Sequence, residues 1–262
     1  MTLEEAVAKI KPLDHNAMEI AQKRWDSIAK PLHSLGKLET LLIQIAGITG
    51  NAEVDLSRRG LIAMCADNGV VEEGVTQTGQ EVTAIVAENF LKYDTSVGVM
   101  CKQNHAEIFP VDMGMVTDTK VRTDHKIAYG TQNMTKGPAM TREQAVKGLE
   151  AGIDMVRELN DKGYRILATG EMGIGNTTTS SAVASVLLKQ PVEEMTGRGA
   201  GLTSEGLVRK INAIKKAITL NKPDPEDAID VLAKVGGLDI AGMAGVFLGG
   251  GGTLNWSALE SG

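Results

Sequence analysis

At 262 residues the chain is long enough to bury a sizeable core, as one main domain with a smaller appendage. A net charge of −6 and 3% aromatic residues argue against any general attraction to nucleic acid and against a base-stacking platform. Two cysteines without CxxC spacing argue against a disulfide scaffold, and four scattered histidines against a structural zinc.

The N-terminal MTLEEAVAKIKPLDHN is charged and amphipathic, without the basic-then-apolar order of a leader, so a cytoplasmic protein is expected. Helices are predicted over residues 3–10 and 16–29. Leu35, Leu38, Leu42 and Ile45, with Leu41 and Ile48, give a further apolar helix face. With no strand candidate among them, residues 1–50 are expected to form a helical subdomain or a dimer arm.

From Leu61 the pattern changes, and residues 51–250 are expected as an α/β domain. LIAMCA is an apolar strand ending at Asp67-Asn68-Gly69, and EVTAIVAENFL is a helix. AEIFPVDMG is a second strand reaching Asp112, with Pro110 favouring an edge or a bulge. Thr141-Arg142-Glu143-Gln144 is a capping box that opens a helix running towards Lys162. A third strand, 164–169, runs into glycines. Leu207, Ile211, Ile214 and Ile218 stripe a later helix. Asp224-Pro225-Glu226-Asp227 reads as a cap with proline in the first helical position. Val235–Leu254 is apolar but glycine-rich and broken by Asp239, a poor membrane span. Strands alternating with helices imply an open parallel sheet with helices on both faces. Ligands bind such sheets beyond the strand C-termini, which places Asp67, Asp112 and the Gly170–Gly175 loop on one rim.

The third strand ends in ATGEMGIGNTTTSS at 168–181. Glycines followed by a hydroxyl-rich helix start make an anion trap, with free amides, the helix dipole and Thr177, Thr178 and Thr179 facing one ligand. Gly173, Ile174, Gly175, Asn176 and Thr177 are its candidates. The loop lacks the Lys-Ser/Thr of a P-loop, and a dinucleotide fingerprint would need glycine where Thr178 stands. A turn used only for tight packing is the other reading. Glu171 has no use in a pure phosphate site and points to a sugar or a proton handled beside the phosphate. A second glycine loop, Gly197-Arg198-Gly199-Ala200-Gly201-Leu202, is placed to wrap the ligand, with Arg198, Gly201 and the later Lys210; a flexible connector and a solvated lysine is the alternative. Asp67 orients a substrate or caps its turn. Gln80 hydrogen-bonds a planar ligand or is merely solvated.

Together these stretches resemble the nicotinate-nucleotide–dimethylbenzimidazole phosphoribosyltransferase family. The resemblance runs through KPLHSLGKLE at 30–39, MCADNGVVEEGVTQTGQEVT at 64–83, VDMGM at 111–115, GEMGIGNTTTSSA at 170–182, GRGAGL at 197–202, EGLVRKINAI at 205–214 and GGLDIAGMAGVFLGG at 236–250. It implies a Rossmann-like sheet domain plus a small helical domain, in a homodimer, with no metal and no cofactor. It also implies transfer of the phosphoribosyl group of nicotinate mononucleotide to 5,6-dimethylbenzimidazole, giving α-ribazole 5′-phosphate and nicotinate. By motif position, the glycine loop would hold the phosphate with Lys210, Glu171 would sit by the ribose and reacting bases, and Asp67 and Gln80 would line the benzimidazole pocket. Family members continue past GLDIAGMAG into a GEGTGA-like motif whose glutamate is the base. From Gly251 to Gly262 the sequence departs from that pattern. A truncated chain with an atypical tail at 251–262 is therefore expected, with Glu171 the remaining candidate base. The alternative is a chain that only binds the mononucleotide or the product.

Overall fold

The computed structural model describes residues 1–253. Helices α1 (Leu3–Lys9), α2 (His15–Ser27) and α3 (Lys37–Thr49) precede strand β1 (Arg59–Ala66). A 3-10 turn at Gly69–Glu73, then α4 (Glu81–Lys92) and α5 (Ser96–Gln103), lead to β2 (Ala106–Gly114). Helix α6 (Arg142–Asp161) returns the chain to β3 (Ile166–Met172). There follow α7 (Asn176–Leu187), the short α8 (Val192–Met195), α9 (Ser204–Asn221), α10 (Ala228–Val235) and α11 (Leu238–Thr253).

The strands form a parallel sheet in the order β2-β1-β3, as the alternation of elements predicted. Pro110 falls on the edge strand β2, where its missing N–H costs no ladder bond on the open side. Alternation along each strand sends Ile62, Met64, Val111 and Met113 towards α6 and α11, and Ala63, Cys65 and Ile108 towards α4 and α5. The chain thus leaves β1 for β2 over one face and crosses back to β3 over the other, as right-handed crossovers require. A second cluster, including Ala182, Ile214 and Val231, joins α7, α9 and α10 beyond the sheet.

Helix α11 fills the place where the glycine-rich apolar run was expected. Its packing explains its composition. A Cβ on Gly152 of α6 would collide with the Gly242 carbonyl and stand 2.6 Å from the Val246 nitrogen. One on Gly242 would meet the Met64 side chain at 2.8 Å. Among the described residues no helix is long and apolar enough to cross a membrane. Of the expected helical segments, α1 docks on this same core through Leu3 and Ala6, and the Met1 ammonium lies 3.0 Å from Asp154. Helices α2 and α3 instead pair with each other.

One cap differs from the sequence reading, and two further features were not read in it. The cap near residue 224 lies one turn later: Asp227 accepts from the amides of Ile229 and Asp230 and opens α10, while Asp224–Glu226 form the preceding turn. Helix α5 carries no strong period in sequence, yet Thr95 caps it and Cys101 anchors it in the core. Residues 115–141 hold neither helix nor strand, apart from a bridge between Val111 and Arg122. The tail read at 251–262 lies, from residue 254 on, outside the described residues.

Gly152→Ala is expected to destabilise the fold by about 1–3 kcal/mol through overpacking at the α6–α11 crossing. Urea unfolding reads this directly. A midpoint equal to that of the unchanged protein would show that the two helices part without cost.

Candidate functional site

Parallel strands bring their C-terminal ends to one rim, so the residues that follow β1, β2 and β3 meet there. In register, Met64 of β1 stands opposite Glu171 of β3, and Cys65 opposite Met172. Asp67, Asp112 and the glycine loop thus share the rim, as their sequence positions implied.

After β3 the chain turns sharply at Gly175, whose φ of +95° only glycine holds without strain, and α7 begins at Asn176. The glycines do more than admit a ligand. A Cβ on Gly173 would strike the Ala66 carbonyl and lie 2.6 Å from Asp239 Oδ2, and one on Gly175 would lie 3.1 Å from Asn68 Cβ. The loop is therefore pressed onto the end of β1. Some of the expected free amides are already engaged: Ile174 N–H donates to Thr83 Oγ1 (3.1 Å), Asn176 N–H to the Gly173 carbonyl (3.0 Å), and Thr177 N–H to Asn176 Oδ1 (2.6 Å). Among the described residues the Gly175 amide has no acceptor.

Lys210 reaches this loop from α9. It is 1% exposed, so the reading as a solvated lysine is excluded. Its ammonium donates to Thr177 Oγ1 (2.8 Å) and to the Gly197 carbonyl (3.2 Å). Among the described residues no carboxylate lies within 4 Å of it. Burial pulls its pKa below the usual lysine value. A buried cation without a counter-ion, beside a helix N-terminus, is an electrostatic setting that favours an anion.

A cavity of ≈ 110 Å³ lies between this loop, residues 75–78 and the second glycine loop. That volume suits a phosphate and is well below the roughly 300–1,000 Å³ of a pocket enclosing a whole drug-sized ligand. Gly173, Ile174, Gly175, Asn176, Thr177 and Arg198 border it. Arg198 spends its guanidinium on its own loop, donating to the Leu202 carbonyl (2.8 Å) and Ser204 Oγ (3.1 Å). Gly201, at φ +103°, accepts from Gln77 Nε2, which ties the lips of the cavity together. Gln77 was missed in the sequence because nothing local marks it.

Glu171, Asp67 and Gln80 lie off this cavity. Glu171 shares the α11 face of β3 with Leu167 and takes a hydrogen bond from Asn176 Nδ2. Burial raises its pKa, against that bond. Gln80 Nε2 donates to the Asn68 carbonyl (3.3 Å). Asp67 is wholly buried, with Oδ2 accepting from the Val116 amide (2.9 Å), so it pins the loop after β2 to the end of β1. Burial raises its pKa as well. A third acid, Asp239 of α11, was read only as an interruption in an apolar run. It is completely buried, and burial first, then Glu171, pushes its pKa up to about 7. A lone charge inside an apolar stretch is itself a signal, since such groups are almost never fully buried without purpose.

With the charge unpaired, Lys210 costs stability at neutral pH, a cost relieved as pH rises towards the ordinary lysine pKa. Lys210→Met is therefore expected to raise the melting temperature of the ligand-free protein while weakening phosphate-bearing ligands about 10- to 100-fold, the worth of a charged hydrogen bond. Scanning calorimetry and titration calorimetry read the two effects separately. A lower melting temperature with undiminished affinity would make the lysine a structural prop.

Known proteins resemble this chain in sequence and fold. A family profile described as Phosphoribosyltransferase matches residues 10–252. A nicotinate-nucleotide–dimethylbenzimidazole phosphoribosyltransferase from Ruminiclostridium cellulolyticum is 53% identical over 95% of this chain and 71% of its own length. The one from Clostridium tetani is 49% identical over 94% of this chain and 69% of its own length. The crystal structure of CobT from Thermus thermophilus superposes with a TM-score of 0.82 at 35% identity, covering 90% of this chain and 71% of that one.

Proposed function

The chain belongs to the nicotinate-nucleotide–dimethylbenzimidazole phosphoribosyltransferase family, and from that premise we infer that it moves the phosphoribosyl group of nicotinate mononucleotide onto 5,6-dimethylbenzimidazole. The observation that carries this reading is Lys210, buried and without an anionic partner, bonded to Thr177 on the wall of a phosphate-sized cavity. In this reading the 5′-phosphate sits against the Gly173–Thr177 turn and Lys210, with Arg198 and Gly201 shaping the opposite lip. The cavity has no room for the nucleoside, so the ribose extends out of it along the rim towards Glu171.

A ring nitrogen of the benzimidazole attacks the anomeric carbon as the bond to nicotinate breaks, and nicotinate leaves with the bonding pair. Attack from the opposite face inverts β to α. The second ring nitrogen then loses its proton to a base, yielding α-ribazole 5′-phosphate, nicotinate and a proton. Glu171, next to the phosphate turn, is our candidate for that base, and Gln80 and Asp67 for the benzimidazole side. Holding both reactants in line supplies a further part of the rate. Turnover is favoured over mere binding, because relatives sharing these segments are named as transferases.

We further infer a cytoplasmic homodimer. Both cysteines are buried and unpaired, which suits a reducing compartment. Ile28 and Leu38 on the α2–α3 pair are half exposed, at 50% and 51%, whereas Leu42 and Ile45 are partly covered. Such apolar surface fits an interface. Light scattering is expected to give twice the chain mass, and Leu38→Lys to reduce it; a monomer would remove the dimer from this account.

Incubation with both substrates, followed by chromatographic detection of α-ribazole 5′-phosphate, tests the activity. Glu171→Gln is expected to lower the rate about 10²- to 10⁴-fold with mononucleotide affinity largely kept. A base must be ionised, and burial raises the pKa of Glu171, so the rate should fall with pH from a point above the ordinary carboxylate value. A variant with full rate and an unshifted pH profile would place the base elsewhere.

A further inference from the structure

Beneath the glycine loop lies a buried pair that the reaction scheme leaves unused. Asn68 and Asp239 are both wholly buried, and Asn68 Nδ2 lies 3.4 Å from Asp239 Oδ2. The other carboxylate oxygen of Asp239 accepts from the Ile240 amide at 2.9 Å, which fixes it to the start of α11. The pair occupies the space that glycine side chains would need. Asp239 Oδ2 would be 2.6 Å and Asn68 Nδ2 3.2 Å from a Cβ on Gly173, and Asn68 Cβ is 3.1 Å from one on Gly175. The main chain of Asn68 meanwhile accepts from Gln80. One residue thus touches both glycines of the phosphate turn and the glutamine assigned to the benzimidazole side, and one acid from α11 holds it.

We propose that Asn68 and Asp239 are positioning residues: Asp239 orients the Asn68 amide, and Asn68 sets the height of the Gly173–Gly175 turn against the bound phosphate. The proposal rests on the mononucleotide reading above. Three physical points support it. Asn68 Oδ1 is buried with no partner, so the amide is held by Asp239 alone and would be released by its loss. The pair joins segments 171 residues apart, the chain just after β1 and the start of α11, so it locks the turn to buried structure rather than to a surface loop. Asp239 also carries a burial cost, with its pKa pushed up to about 7, and an acid retained at that cost in an apolar helix answers to something other than stability.

The amide geometry defines the test. Asp239→Asn keeps a hydrogen bond: its carbonyl stays on the Ile240 amide and its NH₂ donates to the unpartnered Asn68 Oδ1 once that amide flips. Asp239→Ala keeps none. In titration calorimetry with nicotinate mononucleotide, Asp239→Ala is expected to bind about tenfold more weakly and Asp239→Asn within about threefold of the unchanged protein. Asn68→Ala should match Asp239→Ala, and the double variant should lose no more than either alone, because both break one contact. Hydrogen exchange of the ligand-free protein should accelerate at the amides of 173–177 in the alanine variants, while β1 stays protected. Undiminished affinity in Asp239→Ala, equal losses for Ala and Asn, additive losses in the double variant, or unchanged exchange at the turn would each overturn the proposal. Should alanine at 239 prevent folding, Asn68→Ser, too short to reach the acid, carries the same expectations. Failure of the unchanged protein to bind the mononucleotide would sink the functional reading by itself, and the exchange measurement would still decide the positioning role.

Discussion

The close approach of α11 to α6 is the constraint on which the rest of the molecule depends. Glycine is a poor helix former, disfavoured by about 1 kcal/mol per residue against alanine. Helix α11 nonetheless holds through a run containing Gly242, Gly245 and Gly249. What offsets the propensity is backbone contact. A Cβ on Gly245 would strike the Leu149 carbonyl, and one on Gly249 would lie 2.9 Å from Ile153 Cα. The helix therefore lies nearer to α6 than larger side chains would let it. That proximity brings Leu238 into the core beside Met113 and carries Asp239 to the underside of the glycine loop. It also makes a seat for α1, whose Leu3 and Ala6 close the same cluster.

Where the chain's own period matched its role, the architecture was legible from sequence. The LIAMCA and AEIFPVDMG runs are short and largely apolar, with Asp67 directly after the first and Asp112 near the end of the second, and they are the first two strands, paired side by side. The capping box at Thr141–Gln144 is present as read, with Thr141 accepting from the Gln144 amide and the Gln144 side chain from Thr141. The cap near Asp224 was misplaced because three acids lie within 224–227, and only the fold selects Asp227 as the one that meets the free amides of α10. Helix α11 was legible only as an apolar run, since its stability comes from tertiary contact and not from pattern. Residues 115–141 gave no period because they form none; ion pairs such as Arg122 with Glu158 at 2.6 Å help to hold them.

The site divides along the same line. Its strand–glycine–helix segment is continuous in the chain, so the turn, Glu171 and Asn176 could be read together. Lys210 was reachable only as a basic residue on a helix with an apolar stripe, and its burial is a property of the α7–α9 packing. Asn68 looked like a turn residue, Gln77 carried no signal and Asp239 looked like a blemish. Each gains its meaning from a neighbour more than a hundred positions away in the chain, Asp239 for Asn68 and Gly201 for Gln77. No local spacing records such a contact.

The charges of the site are arranged by sign, and that arrangement bears on how binding and chemistry are kept apart. The cation, Lys210, comes from α9 and meets the outer side of the turn at Thr177. The acids, Glu171 and Asp239, lie on the sheet side, where burial raises the pKa of both and Glu171 further opposes ionisation of Asp239. Asn176 spans the two regions: its side-chain NH₂ binds Glu171 while its carbonyl oxygen takes the Thr177 amide. A dianionic phosphate seated at Lys210 would relieve the unpaired cation, yet through Asn176 it would stay one side chain removed from the carboxylate. In the proposed function, the acid that takes a proton and the anion that is held are thus neighbours without being partners. A single asparagine at the first position of α7 keeps them so, because it can donate to one and accept from the backbone that serves the other.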